Sequence, residues 1–403
     1  MQANMTNSNV TPRRILLTGA RAFCALELAR QLKGAGHLVY AAETSSPHVI
    51  KFSSSIENFF CITSPRSDPT LYIDDLIHII VENKIDLLIP MWEEVLYLSQ
   101  HRKRLESHCE LFFDQFSLLD QLHNKWKFNQ LIHSSNLPHP TSLLLTKQSD
   151  LIDIPIEGPF YLKKCYSRGS QSVYFIDRSS NIPNIKLDEN DPWIAQKKIS
   201  GRELCSFSVC HRGAVLAHAV YPVEYTLDGH SCVAFESCEH SGILSWVKHF
   251  IGEIGYTGQI AFDFIESGDN VLYPIECNPR GTSGLHLFHR SGELSSAYLG
   301  RSNGLITPPE GSSQQIASGM LFYGWRQALR EGYFCKYLKK FLTTKDVVFS
   351  AKDPLPFFAE PFVVGSYLLK SKRQGLTLPR FFTYDLEWTS LSGSVETTTP
   401  LVK

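Results

Sequence analysis

The residues best suited to chemistry lie late in the sequence. Gly258-Gln-Ile-Ala-Phe-Asp-Phe-Ile265 and Val271-Leu-Tyr-Pro-Ile-Glu-Cys-Asn-Pro-Arg-Gly281 flank the turn residues Ser267-Gly-Asp-Asn270. Alternation on both sides of such a turn predicts a β-hairpin. Asp263 and Glu276 fall seven and six residues from the turn centre, so the hairpin sets them side by side. Glu276 and Asn278 are two apart and share a strand face. Burying two carboxylates together is costly unless a cation neutralises them. A few hard oxygen donors suit Mg²⁺, which keeps waters and shares phosphate oxygens. Arg280, just beyond, is placed to contact a transferring phosphoryl group. A solvated acidic strand face is the plainer alternative.

Two earlier stretches have types that suit a phosphate and a base. Phe160 to Ile176 reads as strand, small-residue loop, strand. Its loop, Ser167-Arg-Gly-Ser-Gln-Ser172, offers backbone N–H groups and hydroxyls through Ser167, Gly169 and Ser170. Lys163, at the end of the first strand, adds a cation for the same phosphates. Trp193-Ile-Ala-Gln-Lys-Lys-Ile-Ser-Gly201 is an extended segment whose end can present carbonyl and N–H groups to an adenine edge. Taken singly, each also fits an ordinary hairpin or strand end.

These residues need elements to hold them. Arg14 to Thr18, a helical pattern with Ala25, Leu28, Ala29 and Leu32 on one face, and His37 to Ala42 make one βαβ unit. A right-handed crossover makes its strands parallel. A helix around Tyr72 to Glu82 and a strand Ile85 to Pro90 extend it into an open parallel sheet. The turn Gly19-Ala-Arg-Ala-Phe-Cys keeps only the first glycine of GxGxxG, so a dinucleotide is not expected, although Glu43 stands where a ribose acid would. Arg21 and the Glu93-Glu94 pair lie beyond strand ends, where ligands commonly bind; solvated loop charges are the competing reading. After Leu131 a helix breaks before Pro138 and Pro140, and a new domain begins.

The composition is that of an ordinary globular protein. At 403 residues, with 43% hydrophobic and 20% charged side chains, the chain suits two to three domains and excludes extensive disorder. A net charge of −1 supplies no bulk positive field for nucleic acid or an anionic membrane. No apolar run reaches the roughly 18 residues needed to span a bilayer, and the polar first dozen residues carry no signal sequence. The ten cysteines form no CxxC pair, so they are expected as reduced thiols in a cytoplasmic protein rather than as a zinc site.

In order and spacing, the chain from about residue 14 to 300 resembles the ATP-grasp superfamily, of the carbamoyl-phosphate synthase large-subunit-like, carboxylate–amine or thiol ligase type. The resemblance rests on Asn124-Lys125, Tyr161-Leu-Lys163, Tyr166-Ser-Arg-Gly-Ser170, Gln196-Lys-Lys-Ile-Ser-Gly-Arg-Glu203, and Asp263 with Glu276-Cys-Asn-Pro-Arg280. It implies an α/β and α+β architecture: a parallel-sheet domain over 1–118, an ATP-grasp domain over 119–300 (a small nucleotide subdomain over 119–195, a metal-binding subdomain over 196–300), and a C-terminal extension over 301–403. It also implies ATP as cofactor, with Lys125 and Lys163 on its phosphates and the loop of Ser167, Gly169 and Ser170 over them. Gln196, Lys198 and Ile199 would line the base, and Glu203 the ribose. Asp263, Glu276 and Asn278 would hold Mg²⁺ (or Mn²⁺), and Arg280 would stabilise the phosphoryl group. Asn124 replaces a common Asp, Lys164 a common proline, and Gln196-Lys197 a frequent Gln-Glu.

The reaction so implied activates a small-molecule carboxylate as an acyl phosphate and passes it to an amine or other nucleophile, releasing ADP and phosphate. No nucleic-acid or membrane partner is expected; a homodimer is. A kinase using the same site, or a nucleotide-binding regulatory protein without turnover, are the alternatives. His286 is a candidate to face the acceptor, with a packed histidine as the other reading. Beyond residue 300 come a connector (304–315), helical stretches (320–342 and 362–370), and the aromatic tracts Asp353-Pro-Leu-Pro-Phe-Phe and Thr383-Tyr-Asp-Leu-Glu-Trp388, read as ordered packing.

Overall fold

The computed structural model describes residues 11–167, 172–177, 182–227, 231–289 and 292–388. The first sheet contains β1 (Arg14–Thr18), β2 (Leu38–Glu43), β3 (Asn58–Cys61), β4 (Leu87–Pro90) and β5 (Glu110–Leu111), all parallel in the order β3-β2-β1-β4-β5. Helices cover both of its faces. Ile15 and Leu17 pack with Ala25 and Leu28 of the helix Phe23–Gly34, while Leu16 and Leu88 pack with Leu76 and Ile80 of Pro69–Glu82. Burial on both faces is why these strands read as unbroken apolar runs. The strand expected from Ile85 starts at Leu87, and the helix expected from Tyr72 starts at Pro69, where Asp68 caps it by accepting from the Leu71 N–H. Strand order reverses between β1 and β4, which places a crevice beyond their carboxyl ends.

Helices Phe116–His123 and Lys125–Ser134 lead to β6 (Ser142–Leu145), β7 (Phe160–Lys164), β8 (Val173–Ile176) and β9 (Trp193–Lys197). These make an antiparallel sheet in the order β6-β9-β7-β8. The chain continues through β10 (Gly201–His211), β11 (Ala214–Pro222), β12 (Tyr225–Leu227), β13 (Ser231–Glu236), β14 (Gly258–Ser267) and β15 (Leu272–Asn278). β11-β10-β14-β15 form one antiparallel sheet. Its back is closed by the helix Ser241–Ile254, where the Trp246 ring lies 5.2 Å from Phe262 and 5.0 Å from Phe264.

The connector after Gly304 ends in β16 (Ser313–Gln315), which pairs with β13, and β17 (Lys345–Asp346) extends the same sheet. Strands from both sides of residue 300 therefore share a sheet. The stretch expected as helical over 320–342 is interrupted at Gly332, whose φ of +78° ends one helix before Phe334–Thr343 begins. A longer helix, Leu355–Arg373, replaces the short one expected at 362–370. The tail then returns to the first sheet. Asp353 accepts from Arg30 Nε at 3.0 Å and Ser53 Oγ at 2.6 Å, and Trp388 lies 4.9 Å from the Tyr97 ring. The second aromatic tract is packed as expected. In the first, Phe357 and Phe358 meet edge-on yet stay exposed.

Candidate active site

The hairpin places Asp263 directly opposite Glu276, and Ala261 opposite Asn278. A register shift after Asp263 sets Pro274 against Phe264; proline is tolerated because β15 is the edge strand. Burial, and then the charge of Glu276, push the Asp263 carboxyl up, so the pair favours a cation beside it. One cation is in place: Lys125 Nζ lies 3.4 Å from Glu276 Oε1. Asn278 Oδ1 accepts from an Arg280 terminal nitrogen at 3.0 Å. The Arg280 guanidinium sits 4.8 Å over the Trp92 ring, and its Nε is 3.9 Å from Glu93 Oε1.

Lys125 opens the helix Lys125–Ser134, where a positive charge meets the positive end of the helix dipole. Three features offset this. Asn124 caps the helix, its Oδ1 accepting from the Trp126 and Lys127 N–H groups at 3.0 Å each. Lys125 Nζ donates to the Ser167 carbonyl at 2.7 Å, and Glu276 supplies the counter-charge. Asn124 thus does the capping that an Asp would do.

Lys163 arrives from the other sheet. It is buried and donates to Gln196 Oε1 at 2.9 Å, while Gln196 Nε2 donates to Ser142 Oγ at 3.3 Å. Burial pulls its ammonium down to about 8 against the opposing pull of Glu276. Lys164, one residue on, turns to the opposite face and pairs with Asp191, so it leaves the Lys163 side of the strand unchanged. Ser167 Oγ donates to the Lys164 carbonyl at 3.1 Å. Gly169 and Ser170 lie outside the described residues. Lys198 is exposed with its Nζ 4.9 Å from the Phe175 ring, and its own N–H donates to Pro159 O. Glu203 is exposed at the start of β10, and its charge reaches Lys163 and Tyr161.

The structure thus brings Lys125, Lys163, Asp263, Glu276, Asn278 and Arg280 together, with Gln196 behind Lys163. Among the described residues no three or more His, Cys, Asp and Glu side chains converge as a metal-ligand group. Two apposed carboxylates and a shared amide oxygen still fit Mg²⁺, because that ion keeps several waters and takes one or two protein carboxylates. Sequence reasoning missed Trp92, which carries the Arg280 guanidinium; an aromatic after a strand end gives no local signal of its distant partner.

Three other expectations change. Arg21, Glu93 and Glu94 are buried rather than solvated. Arg21 bridges Glu43 at 2.6 Å and the tail's Asp385 at 2.6 Å, so Glu43 is already paired. Glu94 Oε1 accepts from Thr18 Oγ1 at 2.9 Å and the Met91 N–H at 3.1 Å, filling the space above Gly19 where a pyrophosphate would approach. His286 is buried against the Phe235 ring, and burial holds it down to about 3. It is the packed histidine.

No protein-family model and no curated protein sequence matches the chain. Solved structures do. An L-amino acid ligase from Bacillus licheniformis superposes with a TM-score of 0.55 at 14% identity, over 71% of this chain and 74% of that one. N5-carboxyaminoimidazole synthetase from Staphylococcus aureus gives 0.57 at 15% identity, over 73% and 79%. The biotin carboxylase domain of 2-oxoglutarate carboxylase from Hydrogenobacter thermophilus, solved with MgADP, ADP and bicarbonate, gives 0.56 at 13% identity, over 74% and 72%. The parallel sheet followed by antiparallel sheets agrees with these neighbours: the chain has the ATP-grasp fold.

Proposed function

We propose that the protein is an ADP-forming, ATP-dependent ligase that activates a carboxylate as an acyl phosphate and joins it to an amine or other nucleophile. The observation that carries this is the meeting of two lysines from the 119–195 segment with two apposed carboxylates from the 196–300 segment, Lys125 Nζ standing 3.4 Å from Glu276 Oε1. The named ligases among the structural neighbours, one solved with MgADP, support it. Residues 1–118 and 301–403 would frame the cleft between these segments. Ten free cysteines suit a reducing compartment such as the cytoplasm.

In this reading Lys125 and Lys163 hold the ATP phosphates, and Lys198 and Ile199 meet the base with Glu203 on the ribose. Asp263, Glu276 and Asn278 would hold Mg²⁺, which when bound neutralises charge on the triphosphate. A substrate carboxylate oxygen attacks the γ-phosphorus and ADP leaves. An amine nitrogen then attacks the acyl carbon, loses its proton, and phosphate leaves. Arg280, its guanidinium 4.8 Å from the Trp92 ring centre, would direct N–H donors to the transferring group. The test is incubation with ATP, Mg²⁺ and a panel of amino acids and polyamines, followed by mass spectrometry. ADP, phosphate and an amide support the reading. AMP release contradicts the acyl phosphate, a stable phosphoester indicates a kinase, and tight ATP binding without turnover indicates a regulator.

A further inference from the structure

The helix Leu355–Arg373 buries Pro356, Glu360, Val363, Tyr367 and Ser371 on one face. Its opposite face should be polar in a helix that meets only water. Instead it presents Leu355, Phe358, Phe362 and Leu369, with Phe358 70% and Phe362 66% exposed. The helix Phe334–Thr343 repeats the pattern. Tyr337 points inward, while Phe334, Leu338 and Leu342 are exposed, Leu342 by 71%. Single exposed apolar residues need no explanation, but four along one face of a nineteen-residue helix do.

The same region is strongly basic. Residues 320–373 contain ten Lys and Arg against four Asp and Glu, in a chain of net charge −1. Three of the four acids are turned inward. Asp346 accepts from the N–H groups of Ala317, Val348 and Phe349; Asp353 is held by Arg30 and Ser53; Glu360 is buried. Exposed Lys352, Lys372 and Arg373 bracket the apolar face of the long helix.

We propose that the exposed face of the helix Leu355–Arg373 docks on an anionic lipid bilayer, with the protein lying on the surface. Rings and leucines enter the boundary between headgroups and acyl chains while the ammonium and guanidinium groups meet lipid phosphates. No helix among the described residues is long and apolar enough to cross a membrane. A second copy on a two-fold axis would set this positive face against itself, and like charges oppose that pairing. The inference does not rest on the ligase reading.

The test is co-sedimentation of the full chain with vesicles of phosphatidylcholine alone and of phosphatidylcholine mixed with phosphatidylglycerol. Binding to the mixed vesicles is expected, weakened by high salt. The double substitution Phe358→Asp with Phe362→Asp, at two exposed sites, leaves the melting temperature unchanged and lowers vesicle affinity by about tenfold or more. Lys372→Glu with Arg373→Glu removes the preference for anionic lipid. Absence of binding to either vesicle, full binding by the Phe358/Phe362 variant, or a dimer in sedimentation that this variant dissolves would each overturn the proposal.

Discussion

Lys163 is the residue whose own chemistry is most altered by its surroundings. Burial brings its ammonium to about 8, so the charge that meets a phosphate is full below that value and lost above it. Affinity for ATP measured by calorimetry is therefore expected to fall as pH rises through about 8, and Lys163→Arg to flatten that dependence. Lys163→Ala should weaken nucleotide binding itself, by roughly tenfold or more for a lost charged hydrogen bond; unchanged affinity would remove Lys163 from the phosphate site. Much at this scale was legible in the sequence. The period of two in a strand puts Glu276 and Asn278 on one face, and turn chemistry sets Asp263 across from Glu276. The contact of Lys125 with Glu276 was not, because it depends on how a distant helix packs rather than on any local pattern.

At the scale of elements, two short turns each depend on one residue. Gly19 follows β1 with φ of +58°, and an added Cβ would come within 2.6 Å of Glu94 Oε1. Gly19→Ala is expected to cost about 2 kcal/mol or more, from the left-handed backbone and the displaced carboxylate. Urea unfolding would show it as a lower midpoint at unchanged slope. The sequence left this glycine as the first and only one of a dinucleotide fingerprint; its requirement here is room for a buried acid. Asn124→Ala removes the cap that holds the first turn of Lys125–Ser134 and should cost about 1 kcal/mol, with ATP affinity falling as Lys125 loosens. Asn124→Asp should preserve both. Helix boundaries in the tail were less legible. Gly332 and the aromatic-rich stretch after it give mixed helical signals, and burial decides them.

The whole molecule is closed by its tail, which joins the first sheet through Arg21, Asp385, Asp353 and Trp388. No sequence pattern announces such long-range pairs, since each residue is locally unremarkable. This junction makes acid stability predictable. Burial opposes ionisation of Glu43, yet Arg21 prevails and holds it down to about 2, so its stabilisation is complete above the ordinary carboxylate range and lost as pH falls towards 2. Burial holds His48 down to about 4, so below its ordinary value of 6.5 the unfolded chain takes up a proton that the fold refuses. The urea midpoints of the wild type and Glu43→Gln should therefore converge as pH falls from about 4.5 towards 2; a difference that does not change with pH would contradict the junction. The proposed function requires Lys125 from a helix and Lys163 from one sheet to act with the carboxylates of another sheet on one nucleotide. Calorimetry of ATP binding with and without Mg²⁺, on the wild type and Glu276→Gln, beside an ADP-release assay, tests that requirement most directly. The account predicts that the variant keeps metal-free ATP binding, loses the strengthening by Mg²⁺, and loses roughly 10²–10³ in turnover. Normal ADP release with undiminished Mg²⁺ dependence in Glu276→Gln would contradict it.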